Sequence, residues 1–268
     1  MCKQIDGINF IHKDNYAACY IYNFSDEFKE IIRLHLTTVC YGAAKANNLS
    51  RAYNYKTTLK NFMDRFNSKS IETKKGMIGE LLVHILILEL FPKFQTISPY
   101  FNMEEKSIRK GFDVLLYENN LKEVWITEVK AGELHQSKCC NETTKALLSA
   151  AFYDLKKRLN EQEQTFWDNA INSAKIAIED NKDYKKVIEE ILEEEIVLIS
   201  KNESNSKDNN VILVSVLFEN VKNPIDQSIP KEFSENQERQ NEFKKLIVLS
   251  IQKNTYKKVV DFFTGESK

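Results

Sequence analysis

The apolar residues of this chain change their spacing partway along it, and no other feature constrains its fold as strongly. Before residue 90 they recur at three- and four-residue intervals. One such stripe is Phe28, Ile31, Ile32, Leu36, Val39 and Cys40; a second is Met77, Ile78, Leu81, Leu82, Ile85 and Leu86. That spacing puts side chains on one face of a helix. From residue 112 onward, short runs rich in β-branched and aromatic residues appear at 112–117, 124–130, 211–218 and 246–252, and these read as strands. One or two more strands are expected within residues 1–24. Ser25 or Asp26 is placed to cap the first helix, and further helices are expected over 50–66, 73–90, 142–159 and 162–195. A last helical turn falls at 259–263, and 202–210 reads as a polar loop. Helices around a hairpin with strands beyond them predict a mixed central β-sheet flanked by helices.

Composition narrows the class. Seven Gly and four Pro in 268 residues are too few for an all-β sandwich or barrel, which turns about every ten residues. Lys and Arg number 38 against 39 Asp and Glu, which excludes a strongly basic nucleic-acid coat. Any contact with nucleic acid must come from a local patch or a partner. The five cysteines, at 2, 19, 40, 139 and 140, have no repeated spacing and frame neither disulfides nor a zinc site. Charged residues interrupt the first twenty positions, unlike a signal peptide. The longest apolar run, 81–90, contains His84 and Glu89 and falls well short of the roughly 20 residues a bilayer requires. The expectation is a reduced, cytoplasmic protein with no membrane contact.

Glu-x-Lys occurs six times, starting at Glu27, Glu72, Glu104, Glu128, Glu242 and Glu266, and only the copy at Glu128 lies in a strand-like run. Strand periodicity puts Glu128 and Lys130 on one face. If the preceding hairpin closes with two or four loop residues, Asp113 joins them, with Cβ atoms roughly 5–8 Å apart; a three-residue loop would place it on the wrong face. Asn119 and Asn120 supply residues that tolerate the positive φ of a tight turn. Two carboxylates suit Mg²⁺, a hard cation that keeps several waters, and a nearby ammonium can orient water and offset charge growing on a phosphate. Glu80 follows Gly76-Met77-Ile78-Gly79 at the margin of the apolar stripe. The two glycines predict close backbone packing against the hairpin, and Glu80 is a third candidate carboxylate.

Structural readings stand beside these. Asp113, Glu128 and Lys130 form a salt-bridged strand end in the plainer account, and Glu80 a surface residue near a helix start. His84, His135, Cys139 and Cys140 lack zinc spacing. Lys145, Lys156, Lys157 and Arg158 suit either a phosphate backbone or a solvated helix face. Phe166 and Trp167 suit an interface or the core, and the glutamates at 189–195 a solvated face.

The order helix with Gly79-Glu80, hairpin with Gly111-Phe112-Asp113, Glu128-Val129-Lys130, then helix resembles the PD-(D/E)xK nucleases over about residues 70–160. Phe112 stands where that pattern has proline. The resemblance implies a restriction-endonuclease-like core in which Asp113 and Glu128 bind Mg²⁺ (or Mn²⁺), Lys130 aids the attacking water and Glu80 assists metal or water. It divides the chain into an N-terminal segment, 1–66, packing on a nuclease-like domain, 67–268. More narrowly, the Gly79-Glu80 helix and the run Ile126-Thr127-Glu128-Val129-Lys130-Ala131-Gly132-Glu133 resemble the HamA-like nuclease subunit of Hachiman anti-phage defence. That implies a metal-dependent DNase acting with a superfamily 2 DNA helicase (HamB-like). The alternatives are a catalytically silent module that docks the helicase and holds DNA, and a structural subunit with an accidental motif.

Overall fold

The computed structural model describes residues 4–47, 51–101, 111–180 and 182–267. The chain begins with a hairpin of β1 (Ile8–His12) and β2 (Tyr16–Ile21), followed by helices α1 (Asp26–Tyr41), α2 (Ala43–Ala46), α3 (Tyr55–Asn67) and α4 (Ile71–Leu90). Strands β3 (Phe94–Thr96), β4 (Val114–Glu118) and β5 (Glu123–Glu133) come next, then α5 (Cys140–Asn160), α6 (Gln164–Ala177) and α7 (Tyr184–Ser200). The chain continues through β6 (Asn210–Phe218), α8 (Ser228–Gln240), β7 (Lys245–Lys253) and α9 (Tyr256–Glu266).

All seven strands form one mixed sheet in the order β1-β2-β7-β6-β5-β4-β3. The middle four are parallel, and an antiparallel hairpin or meander finishes each edge. The expected mixed α/β architecture is thus present, with the N-terminal hairpin inside the same sheet. Parallel strands covered on both faces read as continuous apolar runs, and β6 and β7 do. On β6, Ile212, Val214 and Val216 join the core beneath α1, α3, α4 and α9, while Val211 and Leu213 join the core beneath α5, α6 and α7.

Local signals explain the helices nearest the hairpin. The Ser25 hydroxyl accepts from Phe28 N–H at 3.2 Å, and all six residues of the first stripe are buried. Helix α1 stops at Gly42, whose φ is +84° and whose added Cβ would lie 2.3 Å from Ala177 Cα; only glycine meets both demands. Helix α4 is buried more completely than its stripe implied, with Val83, His84 and Ile87 also inside, because it lies between the sheet and α1 and α3. Of its two glycines, Gly79 is the one in close packing: an added Cβ would stand 2.6 Å from the Cβ of Ala131 on β5. Gly76 has nothing within 4 Å, so the expectation of two tightly packed glycines holds for one.

The expected helix over 162–195 is two helices, broken where Ile178 turns to extended backbone and buries its side chain. Helix α8 and the three-residue β3 went unforeseen. Two Glu-x-Lys copies, at Glu104 and at Glu266–Lys268, fall wholly or partly outside the described residues. Those at Glu27 and Glu72 are in α1 and α4, and Glu242 precedes β7.

Candidate active site at the hairpin

Asn119 to Lys122 join β4 to β5, and the ladder runs from Glu118 opposite Glu123 to Val114 opposite Thr127. Four loop residues preserve the parity the site requires. One step beyond that ladder, the Val129 N–H donates to Asp113 Oδ2 at 2.8 Å, so the carboxylate of Asp113 grips the backbone between Glu128 and Lys130. The left-handed residue of the turn is Lys122, at φ 53°, and not an asparagine as expected. The loop takes its left-handed step at its last residue, where the chain re-enters the strand.

Glu128 is 1% exposed. Its Oε1 accepts from Lys130 Nζ at 2.9 Å and its Oε2 from Arg158 Nη1 at 2.9 Å. Lys130 also pairs with Asp154 Oδ2 at 2.8 Å. The chain of charges therefore runs Arg158, Glu128, Lys130, Asp154, its two ends four residues apart on α5 and hence neighbours on one helix face. Burial, and after it the charge of Asp113, pushes the Glu128 carboxyl up to about 7, against the pull of Arg158 and Lys130. For Lys130, burial opposes the charged form, but Glu128 and Asp154 outweigh it and the ammonium is held above its ordinary value.

Glu80 approaches from the other side. Helix α4 packs on the face of β5 that carries Ala131, whereas Glu128 and Lys130 reach α5. Glu80 is half-buried, and its charge and that of Asp113 both act on Tyr100. The hydroxyl of Tyr100 donates to Met77 O at 3.1 Å; burial, then Glu80 and, more weakly, Asp113 keep its pKa well above the ordinary value. His84 Nε2 lies 3.2 Å from the carbonyl oxygen of Asp113, a core histidine seated against the hairpin. Asp113, Glu128 and Lys130 are thus brought together, with Glu80 behind them. Among the described residues, no group of three or more His, Cys, Asp or Glu side chains is placed to hold a metal ion.

Arg158, Asp154 and Tyr100 complete the surroundings; the sequence offers Arg158 only as one of four cations suited to a phosphate backbone or a solvated helix face, and it does not mark Asp154 or Tyr100. The one trace that ties Arg158 to Asp154 is their i, i+4 spacing on the helix after the hairpin. The other cations of α5 turn elsewhere: Lys156 pairs with Glu242 at 2.9 Å, Lys145 with Glu232 at 3.8 Å and Lys157 with Glu161 at 3.5 Å. Trp167 is in the core against Phe112, while Phe166 lies under the Arg158 guanidinium, 5.5 Å from it. The four described cysteines are unbridged.

These features define a mixed α/β protein with a buried acid–base cluster where a hairpin meets its following helix. The HamA family model matches residues 3–266, and the chain belongs to that family, which supplies a subunit of Hachiman antiviral defence. A search of curated proteins gives no match. Among the described residues no helix is long and apolar enough to cross a membrane.

Proposed function

We propose that this chain is the nuclease subunit of its Hachiman complex, a restriction-endonuclease-like enzyme that hydrolyses phosphodiester bonds of DNA alongside a superfamily 2 helicase. One observation carries the reading: Asp113 and Glu128 meet at the end of the hairpin, with Lys130 bonded to Glu128. This is the arrangement that the PD-(D/E)xK resemblance implies.

The donor set suits a hard divalent cation. Asp113 and Glu128 offer carboxylate oxygens, and the buried Glu128 carries a charge its surroundings oppose, a burden that Mg²⁺ or Mn²⁺ would lift. Two carboxylates suffice for Mg²⁺, which retains several waters. Asp113 and Glu128 would hold the ion, and the family resemblance gives Glu80 an assisting role. When bound, the ion polarises a phosphoryl oxygen and lowers the pKa of a coordinated water. Lys130, kept protonated between Glu128 and Asp154, orients the attacking water and offsets negative charge growing on the phosphate. Arg158 favours the ionised form of Glu128, and Asp113 fixes the strand backbone between the two reacting side chains.

The test is degradation of plasmid and linear DNA by the purified chain, with and without the helicase and ATP. Mg²⁺-dependent cleavage, lost in Glu128→Ala and on adding a chelator, supports the reading. Intact DNA under every condition, with the partner present, overturns it.

A second reading has its own observation. Both oxygens of Glu128 already have cationic partners, as in a purely structural ion cluster. In that case the chain docks the helicase and holds DNA without cutting it, and Glu128→Ala lowers stability and nothing else.

A further inference from the structure

Arg158 is bonded on one corner only. Its Nη1 donates to Glu128 Oε2 at 2.9 Å and leans on the Gly111 carbonyl oxygen at 3.4 Å. A guanidinium carries five N–H donors in a fixed fork. Among the described residues its Nε and Nη2 have no hydrogen-bond partner in the protein. The Arg158 Cζ lies over the Phe166 ring, 5.5 Å from its centroid, and the side chain is 22% exposed, so solvent reaches it. This residue therefore combines three features: it is anchored on the buried Glu128, it lies over an aromatic ring, and two of its nitrogens remain unused. A residue serving only to neutralise Glu128 has no need of the free fork; a lysine would do as well.

We infer that Arg158 is the phosphate-binding residue of this site, its Nη1 on Glu128 and its unused Nε–H and Nη2–H edge on a non-bridging oxygen of the DNA strand. The inference rests on the reading of a phosphodiester substrate. A planar fork matches two phosphate oxygens, as a point charge does not. Its tether to Glu128 would set the bound phosphate beside Lys130.

Affinity for DNA tests this without any cleavage. Labelled oligonucleotide is titrated in chelator against three proteins, Glu128→Gln, Glu128→Gln with Arg158→Gln, and Glu128→Gln with Arg158→Lys. The Glu128→Gln background removes the buried anion, so replacing Arg158 no longer strands a charge. The Arg158→Gln double variant should bind about tenfold or more weakly, the loss expected for a charge-assisted pair, and Arg158→Lys should recover only part. Equal affinity in all three, or full recovery by lysine, overturns the inference. Should the double variants unfold, phenylglyoxal labelling of the parental protein decides: DNA should shield Arg158, and unchanged labelling overturns the idea. Tenfold weaker binding with no cleavage under any condition would uphold Arg158 and bring down the nuclease reading. Equal affinity with Glu128-dependent cleavage would do the reverse.

Discussion

Gly79 of α4 and Ala131 of β5 lie so close that a Cβ on the glycine would fall 2.6 Å from the Cβ of the alanine. Helix and strand meet there across a single methyl group, three residues beyond Glu128. Gly79→Ala forces the helix off the sheet and should cost about 1–3 kcal/mol, as overpacked cores do. Gly76→Ala, with open space around it, should gain about 1 kcal/mol from helix propensity. Urea unfolding of the two variants should move in opposite directions; a shared direction would contradict the packing described.

Glu128 makes stability depend on pH. Its folded-state value, near 7, lies above the ordinary 4.5, so between those values the folded protein holds a proton that the unfolded chain has released. Its contribution is therefore fully present below about pH 4.5 and is lost as pH rises through 7. Without metal, the parental protein should lose on the order of a few kcal/mol relative to Glu128→Gln over that interval. Denaturation at pH 5, 6, 7 and 8 checks it, and a constant gap would show that Glu128 ionises normally.

Lys253 works with the opposite sign. It is fully buried, its ammonium has no hydrogen-bond partner among the described residues and stands 4.8 Å over the Phe218 ring, and burial lowers it from 10.5 to about 7. Between those values the unfolded chain binds the extra proton, so stability is present above about 10.5 and is lost as pH falls through 7. Lys253→Met should stabilise by several kcal/mol at pH 6 and by little near pH 10. Melting curves at the two pH values decide it.

Lys130 separates catalysis from folding. Lys130→Ala should lower Mg²⁺-dependent cleavage by about 10²-fold or more, the order expected for one transition-state donor, while stability in Mg²⁺ changes little. Lys130→Arg should not restore the rate. A variant that melts early yet cuts at the parental rate per folded molecule would assign Lys130 to structure.

Much of this was legible in the sequence because it is local. Parity along β5 and an even loop place Asp113 with Glu128 and Lys130 whatever the rest of the chain does, and Ser25 caps α1 within three residues of itself. What stayed hidden depends on distant partners. Asp154 and Arg158 look like any exposed helical charges until α5 is laid against β5. Helix α8 buries only Ile229, Pro230 and Ser234, too few for a visible stripe. Val83, His84 and Ile87 fall outside the apolar stripe of α4, and nothing in that helix announces that α1 and α3 cover its back.

Strand β7 lies between β2 and β6 in the sheet, although it is the last strand in the chain. Residues 16–21 therefore wait for residues 245–253 before they gain a parallel neighbour. A growing chain on the ribosome cannot join its N-terminal hairpin to the remainder of the sheet until residues 245–253 have emerged. Such long-range pairing slows folding, so the two halves of the sheet form separately before β7 joins them.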